Sequence, residues 1–151
     1  MRTRPVYGAP ALSIRMAGEH ILVVADLHLG IECELAERGI SLPSQIPKVR
    51  KRLFDLVKSQ KASRLIILGD VKHKVPTTSL YEWRELPEFF EDLTKITRVE
   101  IVRGNHDGYL EGMVPREILI HGSRGLVLGG PHRVGLMHGH TWPAPELLDT
   151  E

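Results

Sequence analysis

The run "RLIILGD" at residues 64–70 constrains the fold most tightly. Its aliphatic side chains follow one another without alternation, and this predicts a strand covered on both faces inside a layered α/β structure. The strand stops at Gly69-Asp70. Upstream, "ALSIRM" and "HILVVAD" flank "AGE" and predict a hairpin whose second strand ends at Asp26. Between these strands, Ile46, Val49, Leu53, Leu56 and Val57 recur at helical spacing. Lys48, Arg50, Lys51 and Arg52 lie mostly off that stripe and read as a solvated helix face. Leu80, Trp83, Leu86, Phe90 and Leu93 form a second helical stripe, with Pro87 expected to kink or restart the helix. Trp83, Phe89 and Phe90 are expected in the core rather than on a base-stacking platform. "RVEIVRGNHD" adds a strand, and "EILIHG", "GLVLGG" and "RVGLMHG" predict a closing antiparallel meander.

Composition excludes several classes. A chain of 151 residues with 42% hydrophobic content is expected to form one domain over residues 1–151. Lysine and arginine number 20 against 19 acidic residues, so a net charge of +1 gives no global field for nucleic acid, membrane or an acidic partner. The lone Cys33 cannot form an internal disulfide, and "ILVVA" at 21–25 is too short for a membrane span or signal segment. A cytoplasmic setting without membrane partners is the expectation. Eight histidines are unusual for this length, and His28, His73, His106, His132, His138 and His140 fall in loop-like contexts.

Four strand ends carry the same kind of residue: "ADLH", "LGD", "RGNHD" and "LMHGH". In open α/β sheets the carboxyl ends of the strands are where sites are built. Each motif alone has an ordinary reading as a cap or Asx turn. In succession they deliver Asp26, His28, Asp70, Asn105 and His138 to one rim, a set of oxygen and imidazole donors without thiolate. Such a set suits manganese, iron, zinc or magnesium at a hydrolytic centre rather than a structural zinc cluster. A carboxylate such as Asp70 can bridge two cations about 3.5–4 Å apart, the arrangement that clamps both oxygens of an in-line displacement at phosphorus.

In the order and spacing of "ADLHLG", "LGDVKH", "VRGNHDG" and "LMHGH", the chain resembles the calcineurin-like metallophosphoesterases over roughly residues 20–143. "HLGIE", "GDVKH" and "HGHTWP" are most similar to archaeal predicted phosphoesterases related to nuclease subunits of double-strand-break repair, and to a bacterial endonuclease encoded beside a DNA ligase. The resemblance implies an α/β fold, a two-sheet sandwich flanked by helices. It makes Asp26 and His28 ligands of a first metal, Asp70 the bridge, and Asn105 and His138 ligands of a second. His106 becomes the catalytic histidine, Asp107 its orienting neighbour, and Lys72 and His73 phosphate contacts in the cleft; Lys74 is expected to be exposed.

The resembling family carries a further GHxH motif. "GHTWP" is read as part of the fourth motif, so the fifth and its strands are expected to lie beyond Glu151, leaving His140 as a substitute ligand. The expectation is therefore a metallophosphoesterase domain lacking its C-terminal strands. It hydrolyses a phosphodiester, a nucleotide or DNA, through a hydroxide bridging two divalent metals, manganese first among them. An exposed sheet edge would favour a homodimer. The alternative is a weak or inactive domain that binds one metal or a partner chain; the plainest reading makes every histidine structural.

Overall fold

The structure, a computed structural model, describes residues 1–129 and 133–150. His132 lies outside the described residues. Among the described residues, eight strands and three α-helices follow in the order β1 (Arg2–Pro5), β2 (Leu12–Met16), β3 (Glu19–Ala25), α1 (Ile31–Glu37), α2 (Ile46–Gln60), β4 (Arg64–Leu68), α3 (Leu80–Thr94), β5 (Arg98–Val102), β6 (Leu119–His121), β7 (Leu126–Leu128) and β8 (Val134–Leu136). Short 3-10 turns occupy Leu110–Gly112 and Pro145–Leu147.

Strands β1 to β6 form one sheet in sequential order, antiparallel from β1 to β3 and parallel from β3 to β6. The parallel centre explains the unalternated runs. Leu22, Val24, Leu65, Ile67, Val99 and Ile101 point into one core, shared with Leu53 and Val57 of α2 and with Leu86, Phe89, Phe90 and Leu93 of α3. Ile21, Val23, Ile66 and Val102 point the opposite way, into a second core closed by Leu128, Val134 and Leu136 of the β7–β8 hairpin. Burying each such side chain contributes about 1.5–3 kcal/mol, so a strand with two apolar faces is stable only between two layers. The result is the expected α/β architecture, a six-stranded sheet with helices on one face and a small second sheet on the other.

Helix α3 begins with a capping box in which Ser79 and Glu82 exchange bonds. One helix spans Leu80–Thr94 with Pro87 inside it, so the expected restart does not occur. The buried row Leu86, Phe89, Phe90 and Leu93 holds both sides of the proline against the sheet. Phe89 and Phe90 are core residues as expected, whereas Trp83 is exposed.

The closing meander is also corrected. Strand β6 pairs parallel with β5 in the large sheet, and β7 and β8 alone form a hairpin. A parallel partner needs a crossover. Residues 103–118 supply it, and they are anchored by Leu110, Met113 and Ile118 in the helix-side core. Strand β1 and helix α1 had no expectation attached, because "RTRP" does not alternate and "IECELAE" has no full apolar stripe. Among the described residues, no helix is long and apolar enough to cross a membrane.

Candidate functional site

Parallel β3, β4 and β5 end on the same side of the sheet, so the residues just past Ala25, Leu68 and Val102 share one rim. Backbone pairing continues beyond the strands: Asp26 N–H donates to the Gly69 carbonyl (3.2 Å) and His28 N–H to the Asp70 carbonyl (2.9 Å). Strand β8 brings His138 to the same place from the second sheet, and His138 Nδ1–H donates to the Leu68 carbonyl at 2.9 Å. Asp26, His28 and Asp70 have φ of 55°, 44° and 49°. Left-handed backbone at a non-glycine residue costs on the order of 1–3 kcal/mol, and such strain persists where the surroundings hold a side chain in a required direction.

Glycine makes the approach of the loops feasible. A Cβ on Gly69 would lie 2.7 Å from Gly104 Cα and would run into the His138 ring, while one on Gly104 would overlap Asp70. Gly69 also has φ of +70°.

Among the described residues, two groups of ligand-type atoms result, Asp26, Asp70 and His138 in one and His28, His73 and His106 in the other. Asp70 joins them. Its Oδ1 accepts the backbone N–H of His106 at 2.9 Å. Its Oδ2 lies 3.4 Å from His138 Nε2 and 3.7 Å from His28 Nε2. Asn105 Oδ1 sits 3.3 Å from the same His138 nitrogen, and Asp26 Oδ1 is 3.9 Å from His138 Nδ1. Because His138 Nδ1 carries the proton donated to Leu68, its Nε2 presents a lone pair in the neutral ring. Lone pairs of Asp70, Asn105 and His138 therefore converge without a proton between them, an arrangement that a cation satisfies. Burial holds His28 below the ordinary histidine range, outweighing the opposing charge of Asp70, with His106 and His73 adding to the lowering. A neutral imidazole is the form that ligates a metal.

His106 packs edge-on against His28, ring centroids 4.9 Å apart, and its Nδ1–H donates to the His73 carbonyl. Its Nε2 is left as the free nitrogen.

Several residues expected at the site stand elsewhere. Lys72 is fully buried, its ammonium donating to the carbonyls of Lys74 and Thr77, so it does not line the cleft. Burial pushes its pKa down against the raising influence of Glu82 and Asp107. Asp107 does not orient His106. It is buried, and its carboxylate accepts from Val71 N–H and Gly104 N–H, both at 2.8 Å, bracing the loops after β4 and β5. His140 is exposed, its ring 5.2 Å from that of His138, and it belongs to neither ligand group. Lys74 is half-buried and pairs with Glu37 at 2.6 Å.

Three residues near the site were not singled out from sequence. Glu34 of α1 accepts from His73 Nε2 at 2.8 Å. Glu82, fully buried, accepts from His73 N–H and Lys74 N–H and so fixes the loop carrying His73. Arg52, counted with the solvated face of α2, lines a cavity of about 170 Å³ beside Asp26. Only the S-x-x-E spacing of Ser79 and Glu82 was a readable signal, and it announces a helix start rather than a site.

Several solved structures are similar to the chain, two of them as follows. Nuclease MPE of Pseudomonas putida superposes with a TM-score of 0.51 at 22% identity, over 77% of this chain and 62% of that one. Yfce, a phosphoesterase from E. coli, gives the same TM-score and identity over 82% of this chain and 62% of that one. The chain thus spans 62% of the length of each, and the likeness is one of fold. No curated protein matches the chain. The sequence profile of the calcineurin-like phosphoesterases matches residues 19–149, a span holding every strand-end motif described above, and the chain belongs to that family.

Proposed function

We propose that the chain hydrolyses a phosphodiester, a nucleotide or DNA, with two divalent cations held on either side of Asp70. The observation that carries this reading is one carboxylate oxygen, Asp70 Oδ2, facing His138 Nε2 at 3.4 Å and His28 Nε2 at 3.7 Å. His28 with Asp26 would hold one cation and His138 with Asn105 the other, Asp70 serving both. The cations would supply Lewis-acid polarisation of the phosphoryl group and a nucleophile drawn from water near neutral pH. Manganese is the first candidate for an oxygen and nitrogen donor set without thiolate, with zinc, iron and magnesium as the others.

His106, anchored through Nδ1–H to the His73 carbonyl, would present Nε2 to the leaving oxygen and, once Nε2 also carries a proton, pass that proton to it, returning to the neutral ring. The His73 ring, its nitrogens engaged by Glu34 and His28, would border the phosphate edge of the cleft without bonding to the phosphate. Arg52, beside Asp26, is placed to meet a second part of the substrate's charge. The single cysteine supports a cytoplasmic setting. Any self-association would use the β7–β8 sheet rather than the outer edge of β1, where Arg2, Arg4 and Pro5 disfavour strand pairing.

The test is metal stoichiometry after reloading with Mn²⁺, paired with hydrolysis of a chromogenic phosphodiester by wild type and Asp70→Asn. Two equivalents and an activity lost in Asp70→Asn are expected. Full activity in Asp70→Asn would refute the assignment. A second reading, a domain that binds one cation and turns over slowly, draws on the exposure of His140 away from both groups. One equivalent per chain with little turnover would favour it.

A further inference from the structure

We propose that Glu34 is a positioning residue which, acting through His73, sets the proton of His28 on Nδ1 and so aims the His28 Nε2 lone pair at Asp70. The inference rests on the metal-site reading above and goes beyond it to a residue on α1. The chain of contacts is continuous: Glu34 Oε2 to His73 Nε2, 2.8 Å; His73 Nδ1 to His28 Nδ1, 3.3 Å; His28 Nε2 to Asp70 Oδ2, 3.7 Å.

An ionised carboxylate only accepts, so the proton between Glu34 and His73 resides on His73 Nε2. The His73 bond holds the Glu34 carboxyl below the usual carboxylate range, with Arg38 adding to the effect. In the tautomer with its hydrogen on Nε2, the His73 ring offers a lone pair at Nδ1. The facing nitrogen of His28 must supply the hydrogen, which leaves His28 Nε2 unprotonated. That nitrogen and Asp70 Oδ2 are then two acceptors facing each other, a pair that a cation between them satisfies. Outer partners of this kind orient metal-ligating imidazoles and raise their basicity.

His73 is held for the task from every side. Its N–H donates to Glu82 Oε1 at 3.0 Å and its carbonyl accepts from His106 Nδ1. The backbone is thus fixed by groups other than Glu34, and the proton position is what Glu34 adds. Through His73 the Glu34 side chain of α1 is coupled to the ring of the ligand His28, while the His73 carbonyl serves the separate histidine His106.

The experiment uses the full chain with ¹⁵N-labelled histidine. Long-range proton–nitrogen correlation spectra of the metal-free protein above neutral pH are expected to show His28 as the Nδ1–H tautomer and His73 as the Nε2–H tautomer. Glu34→Ala should mix both tautomers and weaken Mn²⁺ binding by about 10- to 100-fold. Glu34→Gln, which keeps an acceptor oxygen, should restore both. A wild-type His28 in the Nε2–H form overturns the proposal whatever the variants do. So does Glu34→Ala with unchanged tautomers and unchanged affinity, provided that His28→Ala has lost Mn²⁺ binding; the metal-site reading then stands alone. If His28→Ala binds Mn²⁺ as wild type does, the metal-site reading falls and the proposal falls with it.

Discussion

Glu82 joins the start of α3 to the loop that carries His73, and its removal tests whether that loop is held by a buried acceptor. Its side chain is fully buried. Oε1 accepts from His73 N–H (3.0 Å) and Lys74 N–H (2.9 Å), and Oε2 from Ser79 N–H (2.7 Å) and Ser79 Oγ (2.9 Å). Glu82→Ala strips the carboxylate acceptor from both loop amides, at about 1.5–3 kcal/mol for Lys74 N–H and about 1 kcal/mol for His73 N–H, which also donates to the Leu29 carbonyl at 3.0 Å. It also removes half of the capping box, worth about 1 kcal/mol. Ser79 recovers part of its loss by turning to water. The expected destabilisation is therefore about 4 kcal/mol, a fall in Tm on the order of 10 °C for a chain of this size. Glu82→Gln retains one carbonyl acceptor and should cost about 2 kcal/mol. Urea unfolding followed by circular dichroism gives both values. A loss below about 1 kcal/mol in Glu82→Ala would mean that water or a shifted loop replaces the carboxylate, and the bracing argument would be wrong.

Other outcomes follow from the same geometry. Gly69→Ala places a methyl group against the His138 ring and Gly104 Cα at φ of +70°, so it should lower Mn²⁺ affinity at least tenfold and cost roughly 2–3 kcal/mol; calorimetric titration and urea unfolding check the two effects. Phe90→Ala, at a fully buried position edge-on to Phe89, should destabilise by about 3–5 kcal/mol without changing ligand geometry. Intact Mn²⁺ stoichiometry in that variant at low temperature is the control. His20 is held below the ordinary histidine pKa by burial first and then by Arg15 and Arg4. The unfolded chain therefore binds the proton more readily, and this contribution is present above the ordinary value and lost as pH falls toward the folded one. Unfolding free energy should drop between about pH 8 and pH 5, and the drop should shrink in His20→Gln; an unchanged slope would assign it to other groups.

Much of this was legible in local sequence. A run such as Leu65, Ile66 and Ile67 has no stable place except between two apolar layers, so a strand buried on both faces and ending at Asp70 was legible from residue type. The identity of Asp26, His28, Asn105, His106 and His138 as strand-end residues was equally local. Lys72 and Asp107 were misread because their types suit a cleft, whereas backbone groups of the surrounding loops engage both side chains. Lys72 turns inward to carbonyls of its own loop, and Asp107 accepts from Val71 N–H, 36 positions away.

Sequence by itself determined most of the strands and helices, though neither β1 nor α1, and which side chains stand at the strand ends, because spacing and side-chain type act over a few residues. Only the tertiary structure decided that β6 runs parallel to β5, that His138 arrives from the second sheet, and that Glu34 meets His73. The same holds for Glu100, which is buried against Arg64 and His121 of the flanking strands. Those contacts join residues far apart in the chain, and their free energy exists only once both layers have closed on the central sheet.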